Sequence, residues 1–380
     1  MLISALAVLA STGRGKRLIR LPISAALIAL ACGIYQSYLS FALILALLLF
    51  VYRAIDGHLA ARDAWLYVGE QALVFTAGLA LYYVIWQICL AAEGASATDY
   101  LNISGVGTSA LSPSAIAAAF MGCIKSTKLT LFDMTRGQTP TLYSILNIIF
   151  ILFLAVGTLA VTVKVKLWRQ KTVFALTIAA LLCILPCSCI WLFVSPGIPY
   201  RPMMLTCLAI IPIFTAVIFD RHLSSISGNA LALLLALIVF NNGVLANISY
   251  RYMHDSYERS YATATEMATR MHMLADDDEI REIAVVGSAA KTSETLLGST
   301  APSDRARVLT SHLQSDLLSD RYRIYYFFSD VLGIEFRFTS EEECAELECA
   351  PAVREMGVWP ARDAMLLRDG VLIIKIGECP

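Results

Sequence analysis

The chain has 380 residues, of which 58% are hydrophobic and only 16% charged, and its mean hydropathy is +0.67. Soluble domains carry about 25% charged residues, so this composition excludes an ordinary water-soluble globule and reads as a polytopic membrane protein. The net charge of −1 conceals an asymmetry, +8 over residues 1–249 and −9 over residues 250–380, and the acidic C-terminal part is excluded as a partner for nucleic acid or anionic lipid heads.

The first ten residues, Met1–Ala10, are apolar but too short to span a bilayer, which takes about 20 residues. Basic residues follow this run (Arg14, Lys16, Arg17) instead of preceding it, which is the wrong order for a signal peptide. The segment reads as the end of a membrane helix that begins before Met1, so the chain is expected to be N-terminally truncated. Seven apolar, nearly uncharged stretches then follow as candidate spans: 18–33, 38–53, 69–91, 142–163, 173–194, 203–219 and 229–248. Between the first two lies Gly33-Ile34-Tyr35-Gln36-Ser37-Tyr38, a polar and aromatic turn suited to the lipid–water boundary.

If the loops alternate sides, the set 11–20, 53–68, 164–171 and 220–222 holds eleven Lys/Arg and the set 34–37, 92–141 and 195–202 holds four. Cytoplasmic loops carry the excess of Lys and Arg, so the first set is expected inside, and the second set with the acidic tail outside. Residues 54–68 read as a short interfacial helix. The loop 92–141 is long enough to suggest a function of its own, with a helix start at Ser112-Pro113-Ser114.

The expected division is a transmembrane domain, 1–249, and a soluble C-terminal domain, 250–380. In the latter, Tyr250–Leu274 reads as an amphipathic helix and Leu309–Leu318 as a second helix, while Ile283–Val286, Ile324–Phe328, Ile334–Phe338 and Val371–Ile376 read as strands. The ten cysteines do not form a disulfide framework, because Cys32, Cys89, Cys183, Cys187, Cys189 and Cys207 lie in or beside apolar runs. Cys344, Cys349 and Cys379 leave one disulfide open in the tail. Cys183-Ile184-Leu185-Pro186-Cys187-Ser188-Cys189 reads as close helix packing around a proline kink, since thiolates in an apolar run are costly.

Four features together resemble the bacterial O-antigen glucosyl transferase II family. They are Ile34-Tyr35-Gln36-Ser37-Tyr38-Leu39-Ser40 in a membrane hairpin, Tyr200-Arg201-Pro202 opening a late span, the post-membrane helix Asn247–Leu274, and an ending with Val358-Trp359-Pro360 and Asp369-Gly370-Val371. The resemblance implies a GT-C-like fold: an α-helical polytopic membrane protein with about seven full transmembrane helices, a partial first one, and a small α/β extracytoplasmic C-terminal domain. It implies a bacterial inner-membrane enzyme with a periplasmic tail, taking glucose from a polyprenyl-phosphate donor and adding it to O-antigen or another surface glycan. It also implies an essential acidic residue in the first outer loop, which would lie before Met1.

Such a transfer needs a carboxylate to deprotonate the acceptor hydroxyl and cations to stabilise the leaving phosphate. Arg201, in the turn Ser195–Pro202, is the foremost phosphate candidate, against the alternative that it only reaches lipid heads. Tyr200, Tyr35, Gln36 and Lys375 are further sugar- or phosphate-binding candidates, with interface anchoring or a structural role as the competing reading. Glu93, Asp99 and Asp133 are the membrane-side carboxylates of the outer face, each also readable as a loop or cap residue. The outer loops contain no Asp-x-Asp pair, so neither a metal nor another cofactor is expected. A transporter or flippase without chemistry, or an inactive glycosyltransferase remnant, is the alternative to an enzyme.

Overall fold

The computed structural model describes residues 1–13, 15–57, 59–94, 112–132, 142–194, 202–222, 224–276, 279–287, 318, 321–334 and 336–378. The chain divides into two compact units, Met1–Asn242 and Gly243–Pro380.

The first unit is helical: α1 (Leu2–Thr12), α2 (Arg17–Ile34), α3 (Tyr38–Ile55), α4 (Ala61–Glu93), α5 (Pro113–Phe132), α6 (Leu142–Lys164), α7 (Lys171–Ser188), α8 (Ile190–Val194), a 3-10 segment (Pro202–Ala209), α9 (Ile210–His222) and the start of α10 (Ser225–Leu274). Among the described residues, seven helices are long and apolar enough to cross a membrane, and they coincide with the seven hydropathic spans. A bilayer offers no water to a bare peptide group, so each span must close its own backbone hydrogen bonds as a helix. The molecule is a polytopic membrane protein by these helices.

Helix α3 is the central one. Over half of its length is buried within the unit, more than for any other candidate span. It carries no charge before Arg53, and Leu39, Ala42, Ile44, Ala46, Leu48, Phe50 and Val51 are all buried. Outer helices show lipid-like exposure instead: Leu18, Leu152, Val156 and Phe240 are all exposed.

Small residues let the helices approach closely, as membrane packing requires. A methyl group on Gly78 of α4 would sit 2.7 Å from a side-chain carbon of Ile28 on α2. On Gly157 of α6 it would sit 1.9 Å from the ring of Phe219 on α9. Cysteines play the same part: Cys123, Cys189 and Cys207 are buried at helix contacts. The stretch around Pro186 does break, α7 ending at Ser188 and α8 starting at Ile190.

Two sequence expectations change here. Residues 54–68 do not form a separate interfacial helix: α3 runs to Ile55, and residues from Ala61 onward are the first turns of the 33-residue α4. Gly69 and Gly78 do not interrupt α4, because nothing competes with its backbone hydrogen bonds in an apolar medium. Likewise the last span and the amphipathic helix after it are one 50-residue helix, α10, with the division between the units inside it.

The second unit is α/β, with β1 (Glu282–Val286), α11 (Arg321–Tyr326), β2 (Arg337–Phe338), α12 (Glu341–Cys349), α13 (Pro351–Glu355), β3 (Met365–Arg368) and β4 (Val371–Lys375). The sheet order is β2-β1-β4-β3, with β1 parallel to both neighbours and β3 antiparallel to β4. Alternate residues of β1 serve opposite faces: Ile283 and Val285 meet α10 and α11, while Ala284 and Val286 meet α12 and α13. Asp369 and Gly370, at φ of 53° and 81°, form the two-residue turn joining β3 to β4, a conformation that Asp-Gly favours.

Ile324–Phe328 is helix where alternation and aromatic content suggest a strand. Ile324, Phe327 and Phe328 are buried at i, i+3 and i+4, so helical periodicity wins over β-propensity. Helix α12 carries a capping box: Ser340 accepts from the Glu343 amide, and the Glu343 carboxylate accepts from the Ser340 amide. The Ser340 hydroxyl also donates to the Glu343 carboxylate, and this bond, with that from the Ser340 amide, holds the Glu343 carboxyl below its ordinary pKa. Cys344 and Cys349 are free thiols; Cys379 and residues 309–317 lie outside the described residues.

Phe219 is buried and its ring stands 5.5 Å from that of Phe153, so it cannot swing aside to admit a methyl group on Gly157. Gly157→Ala is therefore expected to cost about 1–3 kcal/mol, read as a lower Tm of the purified chain in detergent. Adding Phe219→Leu should restore part of the loss.

Candidate functional site

The helical unit has two chemically different ends. One gathers the segments rich in Lys and Arg. Glu70, nine residues into α4, is the centre of an ionic cluster there: Arg17 lies 2.7 Å and Arg20 2.5 Å from its carboxylate, both from the first turn of α2. Arg20 also donates to the Ser11 carbonyl, and Arg53 donates to the Thr12 carbonyl at 3.1 Å, which ties α1 into the same end. Asp56 pairs with Arg221 at 3.0 Å, Arg221 donates to the Tyr52 hydroxyl at 2.5 Å, and Lys164 donates to the His222 carbonyl at 2.5 Å. The segments 11–20, 53–68, 164–171 and 220–222 thus meet through named polar contacts.

The other end is aromatic and amide-rich. Tyr35 and Tyr38 flank the α2–α3 turn, their rings edge-to-face at 5.4 Å. Gln36, between them, donates from Nε2 to the Tyr82 hydroxyl of α4 at 3.2 Å. Its backbone carbonyl accepts from Nε1 of Trp191, on α8, at 3.1 Å. Two segments far apart in sequence, α4 and α8, are therefore pinned to one turn. Tyr83 and Trp86 follow on α4, rings 5.9 Å apart.

Of the candidate residues, Tyr35 and Gln36 are at this aromatic end, both half-buried, and Glu93 is exposed at the last turn of α4. Asp99, Asp133, Tyr200 and Arg201 lie outside the described residues. Lys375 belongs to the second unit. It is only 2% exposed, and its ammonium donates to the carbonyls of Arg354 at 2.9 Å and Met356 at 2.8 Å, so it joins β4 to the end of α13. Among the described residues no group of three or more His, Cys, Asp or Glu is placed to hold a metal ion.

Residues 1–219 match the family described as glucosyl transferase GtrII, over half of the chain. The chain belongs to the glucosyl transferase GtrII family. No curated protein and no solved structure matches it. Membership in the GtrII family supports glucosyl transfer by a membrane-embedded protein, and the matched region contains both ends of the helical unit.

Two members of the aromatic end, Tyr82 and Trp191, escape a reading of the sequence, as does Glu70. The signal for Trp191 is present: an indole near the end of a span occupies the depth where aromatic side chains are enriched. What sequence does not show is that Gln36 is its acceptor across 155 positions.

Glu70 and Arg20 have side chains 15% and 16% exposed, whereas Arg17 is 59% exposed. Glu70→Ala leaves the arginine of Arg20 half-buried without its carboxylate and is expected to cost on the order of 3 kcal/mol. Arg17→Ala should cost under about 1 kcal/mol. Thermal unfolding of the two variants in the same micelle checks the order; equal losses would contradict it.

Proposed function

We propose that this GtrII family member is a GT-C-type transferase of the bacterial inner membrane, which takes glucose from a polyprenyl-phosphate donor and adds it to O-antigen or another surface glycan on the outer side. The observation that carries the reading is the family match across a helical unit whose two ends differ so sharply in charge. The basic end fits the cytoplasm by the distribution of Lys and Arg. The aromatic end then faces the periplasm, with the C-terminal unit on the same side.

The chemistry follows from the donor. The bond between the glucose anomeric carbon and the phosphate oxygen breaks, and the acceptor hydroxyl oxygen bonds to that carbon. A carboxylate takes the hydroxyl proton. The phosphate leaves as an anion and needs a cation, for which Arg201 has the right chemistry, because a guanidinium binds phosphate bidentately. Glu93, Asp99 and Asp133 are the carboxylates of the loops that connect the spans on this side. Tyr35, Gln36, Tyr82 and Trp191 supply what a sugar ring uses: aromatic faces and neutral hydrogen-bond groups at the edge of the bilayer.

The test is glucose transfer by membranes containing the full chain, supplied with polyprenyl-phosphate glucose and the cell's own surface glycan. Arg201→Ala is expected to abolish transfer with unchanged membrane insertion. Gln36→Ala is expected to lower it about tenfold, since it loses a donor at the rim together with the Tyr82 tether. Undiminished transfer by Arg201→Ala would remove that arginine from the mechanism.

A further inference from the structure

The basic end of the helical unit holds a groove lined by none of the residues proposed above for glucosyl transfer. It runs between the starts of α2 and α4, with about 570 Å³ of open volume. Its mouth is polar. Arg17, the first residue of α2, and Arg62, the second residue of α4, both line it, so two helix N-termini and two guanidinium groups converge there. Trp65, 58% exposed, lines it beside them, an indole of the kind that sits at headgroup depth. Below the mouth the lining turns apolar, with Leu21 of α2 and Leu66 and Leu73 of α4. Leu66, Gly69 and Leu73 fall on one helical face at i, i+3 and i+7, which makes a channel along the helix.

The charge at the mouth is positive. Glu70 is the one carboxylate lining the groove, and Arg20 answers it from behind at 2.5 Å as well as Arg17 at 2.7 Å. Three guanidiniums, of Arg17, Arg20 and Arg62, stand against the one carboxylate, and Arg17, 59% exposed, and Arg62 are the two that line the mouth. Arg62 lines the groove, and its neighbour Asp63 does not.

From this we infer that the α2–α4 groove binds one anionic phospholipid, its phosphodiester between Arg17 and Arg62 and one acyl chain along Leu21, Leu66 and Leu73. A free phosphate ion would satisfy the arginines but leave the apolar channel empty. A zwitterionic lipid would bring a second cation to a mouth that is already positive. Basic pockets between membrane helices are suited to anionic headgroups for these reasons. The site is separate from the aromatic end and independent of the donor and acceptor.

Gly69 supplies a clean probe. A Cβ at that position meets nothing within 4 Å, so a large side chain enters the groove without disturbing helix packing. The experiment is native mass spectrometry of the purified full chain in detergent, titrated with phosphatidylglycerol and separately with phosphatidylcholine, with inorganic phosphate as competitor and Tm as the fold control. Phosphatidylglycerol should bind in preference. Arg17→Ala and Arg62→Ala should each weaken it about fivefold, and Gly69→Trp should abolish the bound lipid, all with Tm close to that of the parent. Equal binding of phosphatidylcholine, unchanged phosphatidylglycerol binding in these variants, or displacement of the lipid by equimolar inorganic phosphate would each overturn the assignment.

Discussion

The absence of water around the spans is the constraint from which the rest of the structure follows. A peptide group without a partner in hydrocarbon costs several kcal/mol, so each apolar run becomes a helix that satisfies itself. Charged side chains are pushed to the helix ends for the same reason. Glu70 is the informative exception. It sits within α4, and it is held by two arginines that reach it from the first turn of α2. That pairing fixes how α2 and α4 stand side by side, with Gly78 allowing the close approach one level deeper.

The partition of charge gives the unit two chemically different ends. One end is a lattice of arginines, Lys164, Asp56 and Glu70 that binds α1, α2, α3, α4, α6 and α9 together. The other end is held by neutral groups, with Gln36 bridging to Tyr82 and Trp191. Neutral hydrogen bonds and aromatic rings suit sugars, whereas arginines beside apolar channels suit lipid phosphates. The GtrII family match covers both ends, and the C-terminal α/β unit lies beyond the matched residues.

Much of this was legible in the sequence, because hydropathy is a strong signal when the solvent is lipid. The seven spans, the turn at Gly33–Tyr38, strands β1 and β4 and the family itself could all be read from residues alone. Local rules failed where tertiary packing decides. Ile324–Phe328 has strand-like composition but buries a helical face, and the capping signal of Ser340–Glu343 is short beside the apolar patterns around it. Strand β3 is short and only its pairing with β4 makes it a strand. At the candidate site, Tyr35 and Gln36 could be named from their place in the turn. Tyr82 and Trp191 could not, since their role depends on contacts between segments that are distant in sequence.

The proposed function requires that the aromatic end face the periplasm and the arginine-rich end the cytoplasm. Gly33 and Ala60 are exposed at the two ends and suit single-cysteine labelling. The direct measurement is reaction of Gly33→Cys and Ala60→Cys with a membrane-impermeant maleimide, in a chain whose Cys89, Cys183, Cys349 and Cys379 are replaced by alanine. Labelling is expected at position 33 once the reagent reaches the periplasm of intact cells, and at position 60 only after the inner membrane is permeabilised. The reverse pattern would contradict it.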